Sequence, residues 1–410
     1  MNRQPRVLPA LLARARLILA AIALAVCAGL VWVDGPESAV AASPPTVPGT
    51  SCPSFLSDTV WNTPVSGLPV SPQSGQWLAS SGAAGGRLLH PDFGSGYGLP
   101  FNVVHSNHAT TNFKFDYAGE SDPPGAGNPK GPYPYGPDLK VEGGSDAHLL
   151  TVDQDTCRLY EVYATNGSGL GTAGSGAIYD LRSHALRPDG WTSADAAGLP
   201  ILPGLVRLDE VQAGAIRHAI RFTVARTSRS HIWPARHDAG SSDSSLPPMG
   251  ARFRLKSSFN VSLYGSATRV VLTAMQTYGV ILADNGSNWF FQGTDDPGWA
   301  APQYDAMISQ LKQIPASAFE AVDESSLMIN PNSDQARQAP GTANPGPTQA
   351  PTHSTQTPVA TAMPRGQTPT PTSPPPASAV PAVSGPTAGG QAARQPGKGA
   401  GCTPLWAPRT

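Results

Sequence analysis

The chain has 410 residues, with 27 lysines and arginines against 28 aspartates and glutamates, and its formal net charge is −1. Between residues 50 and 330 the balance is 18 basic to 25 acidic residues. An acidic block without a basic stripe argues against nucleic-acid binding. It also argues against a polyanionic substrate, unless a local cluster of arginines overrules the net charge.

The N-terminal segment has the order of a secretory signal. Four arginines precede the uncharged apolar run Leu17–Val33, and the small residues Ala39–Ala42 follow it. We predict a signal peptide over residues 1–42 that is cleaved after Ala42. The run is also long enough for an uncleaved signal anchor, and a transmembrane helix of this kind would be the only membrane contact. Either case predicts a secreted protein or one on the extracellular face of the cell membrane.

The C-terminal segment, residues 331–410, is mostly Pro, Thr, Ala, Gly, Gln and Ser. Such a composition buries too little apolar surface to offset its ordering entropy, so we predict a disordered tail. Removing both ends leaves one globular extracellular domain over residues 50–330, which is close to the size range of all-β sandwiches and barrels.

Inside this block the local patterns favour strands. Asp153–Thr156 joins two β-prone runs as in a hairpin, and Asp284–Ser287 forms a second tight turn in which Asn-Gly favours positive φ. The predicted strands are His148–Val152, Arg158–Tyr163, Ala219–Val224, Ala251–Leu255, Val280–Ala283 and Trp289–Gln292.

Helix patterns are fewer. We predict helices over Asp209–Arg217, Ser266–Tyr278 and Ala301–Gln313, and the second has a serine start and a glycine stop. The pattern indicates a β-rich α+β domain, with a sandwich or jelly-roll-like core and a few covering helices.

Three cysteines follow the leader, namely Cys52, Cys157 and Cys402. Export permits disulfides, and only the first two lie in the globular block, so we predict that Cys52 and Cys157 pair. Cys402 is left free or available for an intermolecular bond. No Cys/His spacing resembles a zinc site, and no P-loop, dinucleotide fingerprint or Gly-x-Ser-x-Gly elbow is present. We therefore predict no metal and no cofactor.

A set of segments spread over nearly the whole block carries a resemblance to known proteins. They are Val60–Pro64, Leu89–Gly94, Glu142–Gly144, Ala147-His148, Cys157–Glu161, Leu186–Gly204, Arg236-His237, Pro248–Phe253 and Ala283–Ser287. These segments resemble a family of uncharacterised secreted bacterial proteins. The resemblance implies one extracellular domain, without an assigned activity. Residues 122–138 depart from it, because they are longer and richer in Gly and Pro.

Two segments concentrate polar and aromatic residues. The loop Trp191–Asp195, followed by two prolines and a glycine, can present an indole face beside a carboxylate, which suits a sugar ring. Turn chemistry alone also explains it, with Asp195 as a helix cap. The second segment offers imidazoles that can carry a proton and arginines that can bind an anion, although packing roles explain it equally well. Its members are His218, Arg221, His231, Trp233, Arg236 and His237.

Carboxylates form a third set. A glycosidase needs two carboxyl groups about 5–9.5 Å apart. Strand alternation places Asp146 and His148 on one face, although a solvated strand end is the alternative, and the position of Asp284 in a tight turn has a local explanation. The full set is Asp92, Glu120, Asp122, Glu142, Asp146, Asp153, Glu161, Asp195 and Asp284.

These patterns favour a secreted protein that acts on or binds extracellular polysaccharide or cell-wall glycan. One hypothesis is a glycoside hydrolase or polysaccharide lyase, and the alternatives are a non-catalytic glycan-binding module and a structural cell-surface module. We expect one concave site. Its predicted catalytic residues are Asp146, His148, Asp195, His218 and His237. Its predicted substrate-binding residues are Trp191, Arg221, Trp233, Arg236 and Asp284.

Overall fold

A computed structural model of the chain describes residues 45–122, 132–165 and 171–338. The predicted signal segment, Cys402 and the tail beyond residue 338 lie outside the described residues. Within the described ranges no helix is both long enough and apolar enough to span a bilayer.

The described chain is rich in short strands and contains four α-helices. The helices are α1 (Ser74–Ser80), α2 (Leu208–Ala213), α3 (Ser266–Thr277) and α4 (Pro302–Leu311). The strands are β1 (His90–Asp92), β2 (Phe101–Val104), β3 (Thr110–Thr111), β4 (Lys114–Phe115), β5 (Tyr133–Pro134), β6 (Leu149–Asp153), β7 (Arg158–Tyr163), β8 (Thr172–Ala173), β9 (Ser175–Asp180), β10 (Ile220–Val224), β11 (Arg252–Leu255), β12 (Val280–Asn285), β13 (Phe290–Gln292) and β14 (Phe319–Val322).

The larger sheet has six strands in the order β1-β13-β10-β12-β11-β14. It is mixed, because β1 runs parallel to β13 and β10 runs parallel to β12, while the other neighbours are antiparallel. Alternation divides β10 between two faces. Phe222 packs its ring against Phe253 and Trp289, with centroids 5.5 and 5.3 Å away. Arg221 therefore points to the opposite face, where the polar residues of the sheet collect.

The second sheet has four strands in the order β2-β6-β7-β9, and two short ladders pair β3 with β5 and β4 with β8. The predicted hairpin around Asp153–Thr156 is confirmed, since β6 and β7 pair antiparallel in continuous register. A second, smaller apolar cluster covers this sheet. Its buried members are Phe113, Phe115, Tyr133, Leu149, Tyr160, Val162, Ala173 and Ile178.

The tight turn predicted at Asp284–Ser287 lies further along the chain, although both flanking strands exist, and these strands do not form a hairpin. β12 and β13 do not pair, because β10 lies between them in the sheet. Asp284 and Asn285 are the last two residues of β12, and the positive φ of this connection falls on Trp289, at 60°. Gly286 is needed for another reason, because the backbone there passes close to Thr223. A Cβ at this position would lie 2.7 Å from the Thr223 hydroxyl.

Two of the three predicted helices match in place and extent, namely α3 and α4. The predicted helix over Asp209–Arg217 is shorter, because α2 ends where Gly214 adopts a left-handed conformation, with φ 81°. Helix α1 was not predicted from the sequence. Its seven residues bury little beyond Ser74 and Trp77, so the apolar periodicity is too weak to be recognised.

The chain remains packed beyond Asn330, where the predicted tail begins. Asp334 and Ala336 are buried, and Gln335 forms a bridge with Thr59. The Arg236 guanidinium donates to the Pro331 carbonyl at 2.7 Å and to Asn332 Oδ1 at 2.9 Å. Residues 331–338 therefore form a strap that belongs to the globular block.

The predicted disulfide joins Cys52 to Cys157, whose Cα atoms lie 5.3 Å apart. Both cysteines are fully buried in the main apolar core. The bridge ties the start of the described chain to the β6–β7 turn across 105 residues.

Replacing both cysteines by serine removes this constraint on the unfolded chain. We expect the free energy of unfolding to fall by about 4–5 kcal/mol in the chain-entropy account of a loop of this length. Urea unfolding of the oxidised protein and of the Cys52→Ser/Cys157→Ser variant measures the difference. The reduced wild-type chain is the control and should unfold like the variant. Equal midpoints for oxidised wild type and variant would contradict the bridge.

Candidate functional site

Seven polar side chains meet between the polar face of the six-stranded sheet and the end of the four-stranded sheet. We call this set the central polar cluster. Its members come from β1, β10, β12 and β13, from the segment before β6, and from the loop 191–204. They are Asp92, Glu142, His148, Asp195, Arg221, Asp284 and Gln292.

The centre of the cluster is a two-bond ion pair between Asp195 and Arg221. Arg221 Nε donates to Asp195 Oδ2 at 2.7 Å, and its Nη2 donates to Asp195 Oδ1. The two side chains are 0% and 3% exposed. Burial lowers the pKa of Arg221, but the adjoining Asp195 carboxylate outweighs burial and raises it. Arg221 therefore keeps its positive charge at neutral pH.

Local turn chemistry aims Asp195 at the sheet. The Ser193 hydroxyl accepts a hydrogen bond from the Asp195 amide at 3.0 Å and lies 2.6 Å from the Leu199 carbonyl. Such side-chain to backbone bonds fix a loop that has no regular ladder. The loop is also attached to β9, because Ser175 donates to the Ser193 carbonyl at 2.6 Å. The loop thus positions Asp195 through contacts that do not involve Arg221.

Glu142 and His148 form a second pair across a tight turn. The Glu142 amide donates to the His148 carbonyl at 2.9 Å, and Gly144 and Ala147 take positive φ between them. His148 Nδ1 lies 2.5 Å from Glu142 Oε2, and Nε2 lies 3.4 Å from the Ala194 carbonyl. Both ring nitrogens therefore face acceptors, which is the arrangement that an imidazolium satisfies.

The pKa values of this pair move in the directions that favour charge. Burial alone raises the pKa of Glu142 and lowers that of His148. The hydrogen bond and the charge attraction between them outweigh burial, so the pKa of Glu142 is lowered and that of His148 is raised. Glu142 is consequently an ionised carboxylate, and its side chain remains 14% exposed.

Gln292 connects the two pairs and reaches a third carboxyl group. Its Oε1 accepts from Arg221 Nη1, and its Nε2 donates to Glu142 Oε1 at 3.4 Å. Its side chain is also hydrogen-bonded to Asp92, which faces it in the parallel register of β1 and β13. Burial raises the pKa of Asp92, although Gln292 and the charge of His90 partly oppose the increase.

Two further carboxyl groups have raised pKa values. Burial, with the charge of Asp195, raises the pKa of Asp284 to about 7, although Arg221 opposes it. Burial also raises the pKa of Glu161 to about 7, against backbone bonds from Leu202 and Ile201 at 2.9 Å. Asp284 is partly exposed whereas Glu161 is fully buried, so only Asp284 can meet a ligand.

The cluster therefore contains neighbouring carboxyl groups whose pKa values are shifted in opposite directions by their surroundings. Glu142 is held ionised, while Asp92 and Asp284 are shifted toward the protonated form. Neighbouring carboxyl groups with opposite shifts are the arrangement of a general acid beside a base or nucleophile. The described parts of the chain contain no group of three or more His, Cys, Asp or Glu residues arranged to hold a metal ion.

The predicted shared cleft does not form as expected, although four of its members do meet. His148, Asp195, Arg221 and Asp284 lie in the central polar cluster. Asp146 is exposed, and its carboxylate bonds to the adjacent Ser145 hydroxyl at 3.3 Å. It follows Gly144 in the turn that precedes β6, so strand alternation does not pair it with His148.

The other two predicted histidines have separate partners. His218 Nε2 lies 3.0 Å from Glu210 Oε2 on α2, and its Nδ1 lies 2.8 Å from the Ala219 carbonyl. His237 Nδ1 lies 2.7 Å from the Ala196 carbonyl, and its Nε2 lies 3.3 Å from Glu120. Both imidazoles therefore fill packing roles outside the cluster.

Three predicted substrate-binding residues also contact other parts of the domain. The indole of Trp191 lies 5.6 Å from the guanidinium of buried Arg187, and the Trp233 indole donates to the Ser333 carbonyl at 2.8 Å. Arg236 holds the strap at residues 331–332 and donates to the Arg187 carbonyl at 2.8 Å. Trp233 and Arg236 therefore hold the strap against the rest of the domain.

Sequence reasoning missed the importance of three residues. Asp92 and Glu142 were present in the carboxylate set and in the resembling segments, but nothing indicated which carboxylates approach each other. Gln292 carried no signal beyond its position two residues after Phe290, on the same strand face.

Comparisons with protein-family models, curated proteins and solved structures find no match. The geometry of the cluster therefore carries the functional argument alone.

Breaking the buried Asp195–Arg221 pair on one side leaves an uncompensated charge. We expect Arg221→Met to lower the free energy of unfolding by about 3–5 kcal/mol. The double variant Asp195→Leu/Arg221→Met removes both charges and should lose less than the single variant. Urea unfolding measures both values.

The matched control is the exposed pair Arg226–Asp243, at 3.5 Å. Asp243→Asn should leave the free energy of unfolding nearly unchanged. A loss for Arg221→Met no larger than that of this control would contradict the central role of the buried pair.

Proposed function

We propose that the protein is a carbohydrate-active enzyme, a glycoside hydrolase that acts on extracellular polysaccharide. The observation that supports it is the Gln292 amide, which bonds to Glu142 and Asp92 at once. Both carboxyl groups therefore lie within hydrogen-bond reach of one amide side chain. A catalytic carboxyl pair in a glycosidase requires such proximity.

The two carboxyl groups differ in the way that glycoside hydrolysis requires. In the proposal Asp92, with its raised pKa, protonates the glycosidic oxygen as the bond to the anomeric carbon breaks. Glu142, held ionised by His148, attacks that carbon or activates the water that does so. The contacts admit either course, and the anomeric configuration of the first product distinguishes them.

The remaining cluster residues have supporting roles. His148 keeps Glu142 ionised and oriented, and Arg221 acts through Gln292, whose oxygen it occupies. Asp284 is partly exposed, and with a pKa raised to about 7 by burial it can donate a hydrogen bond to a sugar hydroxyl. This keeps the predicted substrate-binding role of Asp284 and assigns Arg221 to positioning.

We also propose an extracellular setting and membership of the resembling family of secreted proteins. The buried Cys52–Cys157 bridge supports export, because disulfides persist in oxidising compartments. Of the two predicted core arrangements we propose the sandwich. The loop 191–204 supports it, since Glu161 of one sheet binds the Ile201 amide and Arg221 of the other binds Asp195.

Glu142→Gln and Asp92→Asn remove the two proposed reacting groups with little change of shape. We expect each to lower kcat by about 10²–10⁴-fold on the polysaccharide that the wild type cleaves. Released reducing ends, measured across a panel of neutral and acidic polysaccharides, provide the assay. Asp305→Asn, at an exposed site on α4, is the control and should keep full activity. Product release by Glu142→Gln at the wild-type rate would overturn the assignment, and binding without any release by the wild type would favour a glycan-binding module.

The pH profile of kcat/KM should be bell-shaped. On the acid side activity falls as Glu142 takes up a proton, and its lowered pKa moves this limb to lower pH. On the alkaline side activity falls as Asp92 loses its proton, and its raised pKa moves that limb to higher pH. Asp92→Asn should abolish the alkaline limb in the residual activity. An alkaline limb that is unchanged in this variant would contradict Asp92 as the acid.

A further inference from the structure

A cleft of about 900 Å³ opens beside β1, next to the proposed catalytic carboxyls. One wall is the glycine-rich turn 82–86, in which Gly82 and Gly86 take φ of 83° and 79°. The chain then continues along the cleft into β1. The residues that carry the argument are Arg87, Leu88, His90, Asn288 and Lys312.

The cleft is locally basic in a block that is otherwise acidic. The side chains of Arg87 and Lys312 are exposed, and neither forms an ion pair with a carboxylate among the described residues. His90 is a third group that can carry positive charge. This is the local basic cluster that can overrule the net charge of the block and accept an anionic group.

The cleft also offers a surface for a sugar ring. Leu88 is 42% exposed at its edge, and the His90 ring packs edge-on against Phe290, with centroids 5.1 Å apart. Apolar and aromatic surface beside a few polar groups is the usual composition of a sugar subsite. The Asn288 amide and the Ser287 hydroxyl line the same cleft and add hydrogen-bonding groups.

Strand β1 runs from the cleft to the central polar cluster. His90 and Asp92 are two residues apart on β1 and therefore share one face of the strand. Lys312 lies near enough to Asp92 for its charge to act on that carboxyl group. On the other side, Ser287 belongs to the connection that follows Asp284. A sugar in the cleft would thus adjoin the proposed acid.

We propose that this cleft is the subsite for an anionic sugar residue, so that the substrate is an acidic polysaccharide. Arg87 and Lys312 would bind its carboxylate, sulfate or phosphate oxygens, while Leu88 and His90 pack against the ring. The inference rests on the proposed function for the reaction, but the binding of an anionic sugar is measured independently of cleavage.

The test compares charged and uncharged forms of one oligosaccharide. Calorimetric titration of the full chain with oligogalacturonate and with its methyl ester isolates the carboxylate charge. Sulfated and phosphorylated oligosaccharides of similar length identify the anion. We expect the preferred anionic form to bind at least about tenfold more tightly than the neutral form at low salt. The preference should shrink as ionic strength rises.

Arg87→Ala/Lys312→Ala should abolish this preference and leave binding of the neutral form nearly unchanged. Arg269→Ala/Lys114→Ala, which removes two exposed cations elsewhere, is the matched control and should keep it. Equal binding of charged and neutral forms, no binding of any anionic probe, or equal loss in both double variants would each overturn the proposal.

The same measurements separate this inference from the proposed function. Charge-dependent binding that Arg87 and Lys312 control, without cleavage of any glycan, supports the subsite while the hydrolase proposal fails. Cleavage of neutral glycans by a wild type that shows no preference for charge leaves the hydrolase proposal standing and overturns the acidic subsite.

Discussion

The buried ion pair between Asp195 and Arg221 determines the arrangement of the surrounding side chains. An arginine has only donors, so its Nη1 must face the oxygen of the Gln292 amide. That contact fixes which way the amide points, and its NH₂ group is left facing Glu142 and Asp92. The orientation of two carboxyl groups thus follows from one guanidinium. The loop around Asp195 is held in turn by Ser193. The ion pair therefore connects this loop, the six-stranded sheet and the carboxyl groups that Gln292 contacts.

Desolvation separates the pKa values of the carboxyl groups in the cluster, because it acts differently on neighbouring groups. Asp92 and Asp284 lose water without a full counter-charge, and both have raised pKa values. Glu142 loses water too, but the hydrogen bond and the charge of His148 outweigh this loss and lower the pKa of Glu142. A flat glycan-binding face would instead present aromatic rings to solvent. Here Trp191 and Trp233 have internal partners, which favours chemistry at the carboxyl groups over stacking on an exposed surface.

Local features were predictable from the sequence because their causes are local. The hairpin of β6 and β7 follows from two β-prone runs around a turn, and α3 follows from its apolar face and its glycine stop. The Cys52–Cys157 pairing followed from counting cysteines, although no spacing rule gave it.

The site could be predicted only in part, because it depends on strand order. β10 lies between β12 and β13, and a tight Asn-Gly turn gives no sign of that. Alternation along β10 separates Arg221 from Phe222, but it could not bring Glu142 beside Gln292, 150 positions away. Trp233 and Arg236 have the chemistry of a binding site, and in the structure both donate hydrogen bonds to the domain's own backbone.

The strap brings the two ends of the domain together. Gln335 pairs with Thr59, the Val60 amide donates to the Asp334 carbonyl at 2.7 Å, and the Ala336 amide donates to the Asp58 carbonyl at 2.9 Å. Domains whose ends lie side by side tolerate circular permutation and insertion into a host loop. The chain thus crosses residues 58 and 336 at neighbouring points of one domain, and the segment before residue 58 stays attached to that domain through the Cys52–Cys157 bridge.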